Sequence, residues 1–151
     1  MTQSRIDKFN QEHPPFYMVA HEDGEYSLCY SMAFTNHENR EKWQAAFNDY
    51  AEFTGEPAMV SGLYTHGSGY EWEEVFKKAF ENDPNLSEVK FDCENDGFFC
   101  YSRNQDLLEN MGDRFYNICN DMDCFGDLVL DTLKKMEQDG LAEEAGPNMT
   151  M

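Results

Sequence analysis

Positive charge is scarce in this sequence: 11 lysines and arginines face 30 aspartates and glutamates, giving a formal net charge of −19 over 151 residues. The imbalance is not confined to a tail. Residues 1–75 carry 4 basic and 13 acidic side chains, and residues 76–151 carry 7 and 17. Such a surface repels nucleic acid and anionic membranes, which argues against direct binding to either, and it steers basic partners inward. Plain solubility is the bland account of the same charge. No apolar run approaches the ~20 residues of a membrane span. The polar stretch from Met1 to Pro15 lacks the apolar centre of a signal peptide, so cytoplasmic placement is the expectation.

Also missing are the signatures of catalysis. The chain has no nucleophile elbow, phosphate loop, dinucleotide fingerprint or His-Glu-x-x-His motif. His13, His21, His37 and His66 are scattered, without partners at metal-ligand spacing. The run Asp121 to Asp127 superficially resembles a calcium loop, but Phe125 sits where an oxygen ligand belongs and Thr132 falls where glutamate is needed. Helix capping is the better account. The residues therefore predict no enzyme, no metal and no cofactor. Five cysteines (Cys29, Cys93, Cys100, Cys119, Cys124) form no Cys-x-x-Cys pair and are odd in number, which fits reduced thiols better than a disulfide framework.

What is present is a substantial apolar complement. Forty per cent of residues are hydrophobic and 15% aromatic, too many for a disordered chain. One domain over residues 16–138 is expected, after a flexible lead-in over 1–15 and before a mobile tail over 139–151. Residues 16–21 and 25–32 read as a hairpin turning at Asp23-Gly24, since Tyr26, Leu28, Tyr30 and Met32 alternate with smaller residues. Trp43, Ala46, Phe47, Tyr50 and Ala51 mark a helix from about Glu38 to Phe53. Residues 55–69 carry four glycines and little periodicity, with a short strand open over 58–65. Two more helical stripes follow later, one on Leu108, Met111, Phe115, Ile118 and Cys119, the other on Phe125, Leu128, Val129, Leu133 and Met136. Asn104 caps the earlier one, and Asp121 or Asp123 the later. The fold class is α+β: an antiparallel sheet built from two β-hairpins, with about four helices packed mainly on one face. Both hairpins turn at Asp-Gly and both second strands contain Cys-Tyr-Ser, which hints at a duplicated ββαα unit.

The stretch from Gly69 to Tyr101 is the most informative. Trp72, Val75, Phe76, Ala79 and Phe80 form one helical stripe over residues 70–82. A hairpin over 88–102 follows, in one of two registers. A two-residue turn at Asp96-Gly97 sets Cys93 against Cys100. A three-residue turn at Asn95-Asp96-Gly97, with Gly97 left-handed, sets Cys93 against Phe99. Burial favours the second, which gathers Val89, Phe91, Cys93, Phe99 and Tyr101 on one face and implies no disulfide.

The combination Gly69-Tyr70-Glu71-Trp72-Glu73 with Phe91-Asp92-x-Glu94-x-x-Gly97-x-Phe99 resembles the bacterial immunity protein 51 family, over roughly residues 16–135. Cys93 stands where that pattern leads one to expect proline. The resemblance implies a non-catalytic protein that binds and neutralises a cognate polymorphic toxin. Its motif residues Gly69, Tyr70, Trp72, Phe91, Gly97 and Phe99 are then structural. A basic toxin, a nuclease being one such class, suits the acidic surface. The alternative is an acidic interaction or regulatory module with an unrelated partner.

Candidate contacts are Glu71, Glu73 and Glu74 at the helix start, Asp92 and Glu94 on the hairpin, and Tyr64 and His66 in the glycine-rich segment. Each has a plainer role. The three glutamates interact favourably with the positive helix end, at ~0.3–1 kcal/mol apiece. Asp92 and Glu94 suit a solvated strand edge that discourages unwanted sheet pairing. Tyr64 and His66 could simply belong to a long connection.

Overall fold

A computed structural model of the chain describes residues 2–31, 38–54, 59–60, 63–64 and 67–149. In chain order these form α1 (Thr2–Glu12), β1 (Tyr17–Ala20), β2 (Tyr26–Ser31), α2 (Glu38–Thr54), β3 (Met59–Val60), β4 (Leu63–Tyr64), α3 (Gly69–Ala79), a 3-10 turn (Pro84–Glu88), β5 (Lys90–Phe91), β6 (Gly97–Ser102), α4 (Gln105–Asn120) and α5 (Met122–Met149). The class is α+β. Four antiparallel strands make one sheet in the order β1-β2-β6-β5, and β3 and β4 pair separately.

The two hairpins meet through their second strands, with Leu28 opposite Cys100 and Tyr30 opposite Phe98. Extending this register across the sheet puts Met18, Leu28, Cys100 and Phe91 in one row, facing the helices. Beneath them lies an aromatic core in which Phe16, Tyr30, Trp43, Phe47, Trp72, Phe115 and Phe125 are buried. Trp72 is central, with ring centroids 5.2 Å from Tyr30, 5.4 Å from Phe125, 5.5 Å from Phe47 and 5.8 Å from Trp43. The indole N–H of Trp43 donates to Asn120 Oδ1 at 3.2 Å, so the polar edge of that ring is satisfied within the core.

The turns differ from one another, and this corrects the sequence-based register. The first hairpin has the three-residue loop: Gly24 is left-handed at φ 87°, and its N–H donates to His21 O at 3.2 Å. The second closes on Asn95 and Asp96 alone, with Glu94 and Gly97 exchanging hydrogen bonds of 2.9 and 3.3 Å. Gly97 does not have a positive φ, Phe91 pairs with Cys100, and both expected registers are overturned. Phe99 and Tyr101 therefore lie on the face away from Phe91. The physical reason is that Gly97-Phe98-Phe99-Cys100-Tyr101 is apolar on both faces, so alternation in β6 cannot choose between registers. Packing chooses, and it buries Phe98 and Cys100 completely. With unlike turns, and with α4 rather than α2 lying on the sheet, a duplicated unit is not shown.

Two further differences are at the ends. Residues 2–12, read as a loose lead-in, form α1. Ile6 and Phe9 enter the core, and Asn10 bonds both Met18 N (2.6 Å) and Met18 O (3.2 Å), occupying the outer edge of β1. Buried His13 fastens the end of this segment, with Nδ1 2.7 Å from Phe9 O and Nε2 2.8 Å from Asp113 Oδ1. At the other end α5 continues past residue 138, through Leu141-Ala142-Glu143-Glu144-Ala145, all strong helix formers.

The five cysteines are free. Burial pushes the thiols of Cys100 and Cys119 well above their ordinary 9.0, and that of Cys29 up to about 11. Below pH ~9 these thiols are protonated in both states and have no effect on stability. Above it the unfolded chain releases protons that the folded chain keeps, so stability falls as pH rises toward the folded values. Cys100 and Cys119, both fully buried, should each contribute to that fall. Urea unfolding at about pH 8 and pH 10 measures this. The Cys100→Ala/Cys119→Ala variant should show a shallower fall than the natural chain, whatever its own baseline, and equal slopes would contradict the assignment.

Candidate functional site

The residues singled out by sequence converge where α3 begins against the second hairpin. Ser68 caps α3, accepting from Glu71 N at 3.3 Å, while the Glu71 carboxylate accepts from Gly67 N at 2.6 Å. This is the reciprocal arrangement of a capping box displaced by one residue. From there Trp72, Val75 and Phe76 turn into the core, so Trp72 has the interior position that its place in the stripe predicts.

Gly69 lies against the hairpin itself. Its N–H donates to Asn95 O at 3.1 Å, and a Cβ at this position would collide with the carbonyl oxygens of Gly97 and Glu94. A Cβ at Gly97 would in turn meet the ring of Phe99. Gly69 is thus required by the close approach of helix and hairpin, and Gly97 by the Phe99 ring on its own strand, neither by an unusual φ. Tyr70 differs from its neighbours: 53% of its surface is exposed, so packing does not explain it as it explains Gly69, Trp72 and Gly97.

The carboxylates fall into three groups. Glu71 is engaged in the cap. Glu73 and Glu74 share Lys77, whose Nζ lies 2.6 Å from Glu73 and 3.6 Å from Glu74, and 4.9 Å from the centroid of the Phe91 ring. The hydrogen bond that it donates to Glu73 is the main reason the Lys77 ammonium is held above its ordinary value. Asp92 and Glu94 are exposed and form no ion pair among the described residues. The Cys93 thiol, pushed up to about 12 chiefly by burial, also feels the negative charge of both Glu73 and Asp92. Glu73 of the helix and Asp92 of the hairpin therefore both act on one sulfur, and the corner is anionic with Lys77 inside it.

Tyr64 lies in β4 with its backbone opposite Met59. His66 lies outside the described residues. The structure thus brings together Glu71, Glu73, Glu74, Asp92 and Glu94.

Register also exposes something that the residue pattern alone did not reveal. The helix-free face of the sheet carries Tyr17, Cys29, Phe99 and Asp92 in one row and Val19, Ser27, Tyr101 and Lys90 in the next. The alternation of Tyr17 and Val19 around Met18 was the available signal.

Two open grooves of about 680 Å³ are present, one near Arg5, Lys90, Tyr101 and Arg103 at one end of the sheet, the other near Phe80, Arg114 and Leu128. A smaller groove of about 320 Å³ beside Glu74 and Lys77 mixes both signs of charge. Among the described residues no three metal-ligating side chains cluster, and no helix is long and apolar enough to cross a membrane.

No curated protein and no solved structure matches this chain. The family model described as immunity protein 51 matches residues 32–135, beginning directly after β2 and including α3, the second hairpin and α4. Both sides of the Gly69–Gly97 contact, with all the carboxylates around it, fall inside that span, which covers most of the sequence: the chain belongs to the immunity protein 51 family.

Proposed function

We propose that this protein binds and neutralises a cognate bacterial polymorphic toxin without catalysis, using an acidic surface that includes Glu73, Glu74, Asp92 and Glu94. Membership of an immunity family carries the reading, and the chemistry of the chain supports a cationic partner. A net charge of −19 speeds encounter with a basic protein, and Asp92 and Glu94, without an ion pair among the described residues, slow its release together with the aromatic surface beside them. A toxin that attacks nucleic acid needs cations to neutralise phosphates, so a basic nuclease is the target class that the charge favours. The place of action is the cytoplasm, where an incoming toxin would meet its substrate.

Co-expression tests the function directly. The chain should restore growth to cells producing the variable C-terminal domain of a secreted protein encoded by the neighbouring gene. Failure of folded, expressed protein to rescue would reject that pairing. Rescue by binding to an unrelated regulator would leave the two purified proteins unassociated, which separates the alternative. Charge steering is tested separately. The association rate should fall roughly tenfold or more between about 0.02 M and about 0.5 M salt, as the screening length contracts. A salt-indifferent rate would remove steering from the account and leave the immunity function standing.

A further inference from the structure

We infer that the helix-free face of the sheet is the central docking surface for the toxin, with a lysine- or arginine-bearing segment over Asp92 and Glu94 and an apolar side chain over Tyr17, Val19 and Phe99. The inference rests on the toxin-binding reading and adds to it a face, an orientation and a division of labour.

Three observations carry it. First, the face is apolar where an outer face of an antiparallel sheet is ordinarily polar. Val19 is 37% exposed, and Tyr17, Phe99 and Tyr101 are half-buried and stand outside the hydrophobic core. Second, the face is rigid. Its other side is the aromatic core, Cys29 is buried between the Tyr17 and Phe99 strands, and Tyr17 Oη lies 2.7 Å from Ser31 Oγ. Aromatic rings already held in place lose little freedom on binding, the property that makes them anchors in interfaces. Third, the charge is asymmetric. Asp92 lies in the Phe99 row and Glu94 opposite Gly97, neither ion-paired among the described residues, whereas Lys90 lies opposite Tyr101, nearer the other end. A partner segment laid along the face therefore meets anions at the hairpin turn and the cation away from it.

Size sets the share of the interface that this face can supply. Strands ~4.8 Å apart and about six residues long give a surface of roughly 300 Å², against about 800 Å² per partner in a standard interface. The sheet face is the centre, and the α3 corner extends it, because Gly69 joins that helix to the same hairpin and leaves Tyr70 exposed beside it.

The test uses the full chain and the neighbouring gene's toxin domain in an inactivated form. Asp92→Asn/Glu94→Gln and, separately, Val19→Lys should each weaken binding about tenfold or more, mainly through faster dissociation. The control, Asp127→Asn/Asp131→Asn on α5, removes the same formal charge and should change binding less than about twofold. Melting curves confirm that each variant is folded. On the natural chain, side-chain NMR signals of Tyr17, Val19 and Tyr101 should shift on adding toxin, with those of Val129 unmoved. Equal weakening by the face and control pairs, face variants that bind normally, or shifts concentrated on α5 would each overturn this surface while the immunity function stands. A natural chain that neither binds nor rescues would overturn that function and this inference with it.

Discussion

Trp72→Ala should destabilise the fold by about 3–5 kcal/mol, the usual range for removing a large aromatic side chain from a core. Domains of this kind are stable by only about 5–15 kcal/mol in total, so the variant should lose roughly 6–20 °C in melting temperature. The estimate belongs at the upper end because the ring is 1% exposed and touches aromatic side chains from β2, α2 and α5, which cannot all collapse into one void. Tyr70→Ala, two residues earlier, is the control. Its ring is at the surface, and stability should move by no more than about 0.5 kcal/mol. Denaturant titration of the two variants checks both numbers, and a loss below about 1 kcal/mol for Trp72→Ala would show that the core does not depend on this ring.

The contrast between those neighbouring residues shows what was legible in the sequence. Helical spacing identified Trp72 as interior, and the caps at Asn104 and Asp121 were readable because Asn and Asp precede apolar stripes. Asn104 accepts from Leu107 N at 3.1 Å and Asp121 from Cys124 N at 3.2 Å. Ser68-x-x-Glu71 is an equally visible capping pattern, and its spacing is enough to assign Glu71 to the cap. Other features had no clear local signal. Among the described side chains of α1, Ile6 and Phe9 are buried within a polar stretch, with His13 just beyond its end, so tertiary contact with α4 and β1 decides its position. In β6 both faces are apolar, and a shift of register moves Phe99 and Tyr101 from the core to the outer face.

The same limit applies to the candidate site. The net charge is a sum over the chain and carries no position, so the sequence could name Asp92 and Glu94 as exposed acids but not show that they share a face with Tyr17 and Phe99. That juxtaposition depends on four strands pairing in the order β1-β2-β6-β5, which brings residues more than 70 positions apart into one row. The family resemblance also grouped Tyr70 with the structural motif, as part of the run Gly69-Tyr70-Glu71-Trp72-Glu73. Helix geometry separates the three: Gly69 meets the hairpin, Trp72 the core, and Tyr70 the solvent.

Gly69→Ala and Gly126→Ala should have opposite effects although both add one methyl group to a helix. At Gly69 the new Cβ would overlap two backbone carbonyl oxygens of the hairpin, and neither can rotate away as a flexible side chain would. Relief requires α3 to back away from β6, weakening the Gly69–Asn95 hydrogen bond and loosening Trp72 and Phe76 in the core. Overpacking of this kind removes roughly 1–3 kcal/mol, and more where backbone must move. At Gly126, within α5, a Cβ would have nothing within 4 Å, so the methyl group brings only better helix propensity, worth about 0.5–1 kcal/mol of added stability. Paired melting curves decide the matter, and a neutral Gly69→Ala would mean that the helix and hairpin do not meet as described. Because the same approach sets Glu73 and Asp92 around Cys93, the folded fraction of Gly69→Ala should also bind toxin more weakly than the natural chain, whereas Gly126→Ala should bind as well. Coincident losses of stability and affinity in the first variant, with neither in the second, would trace both properties to one contact between two glycines.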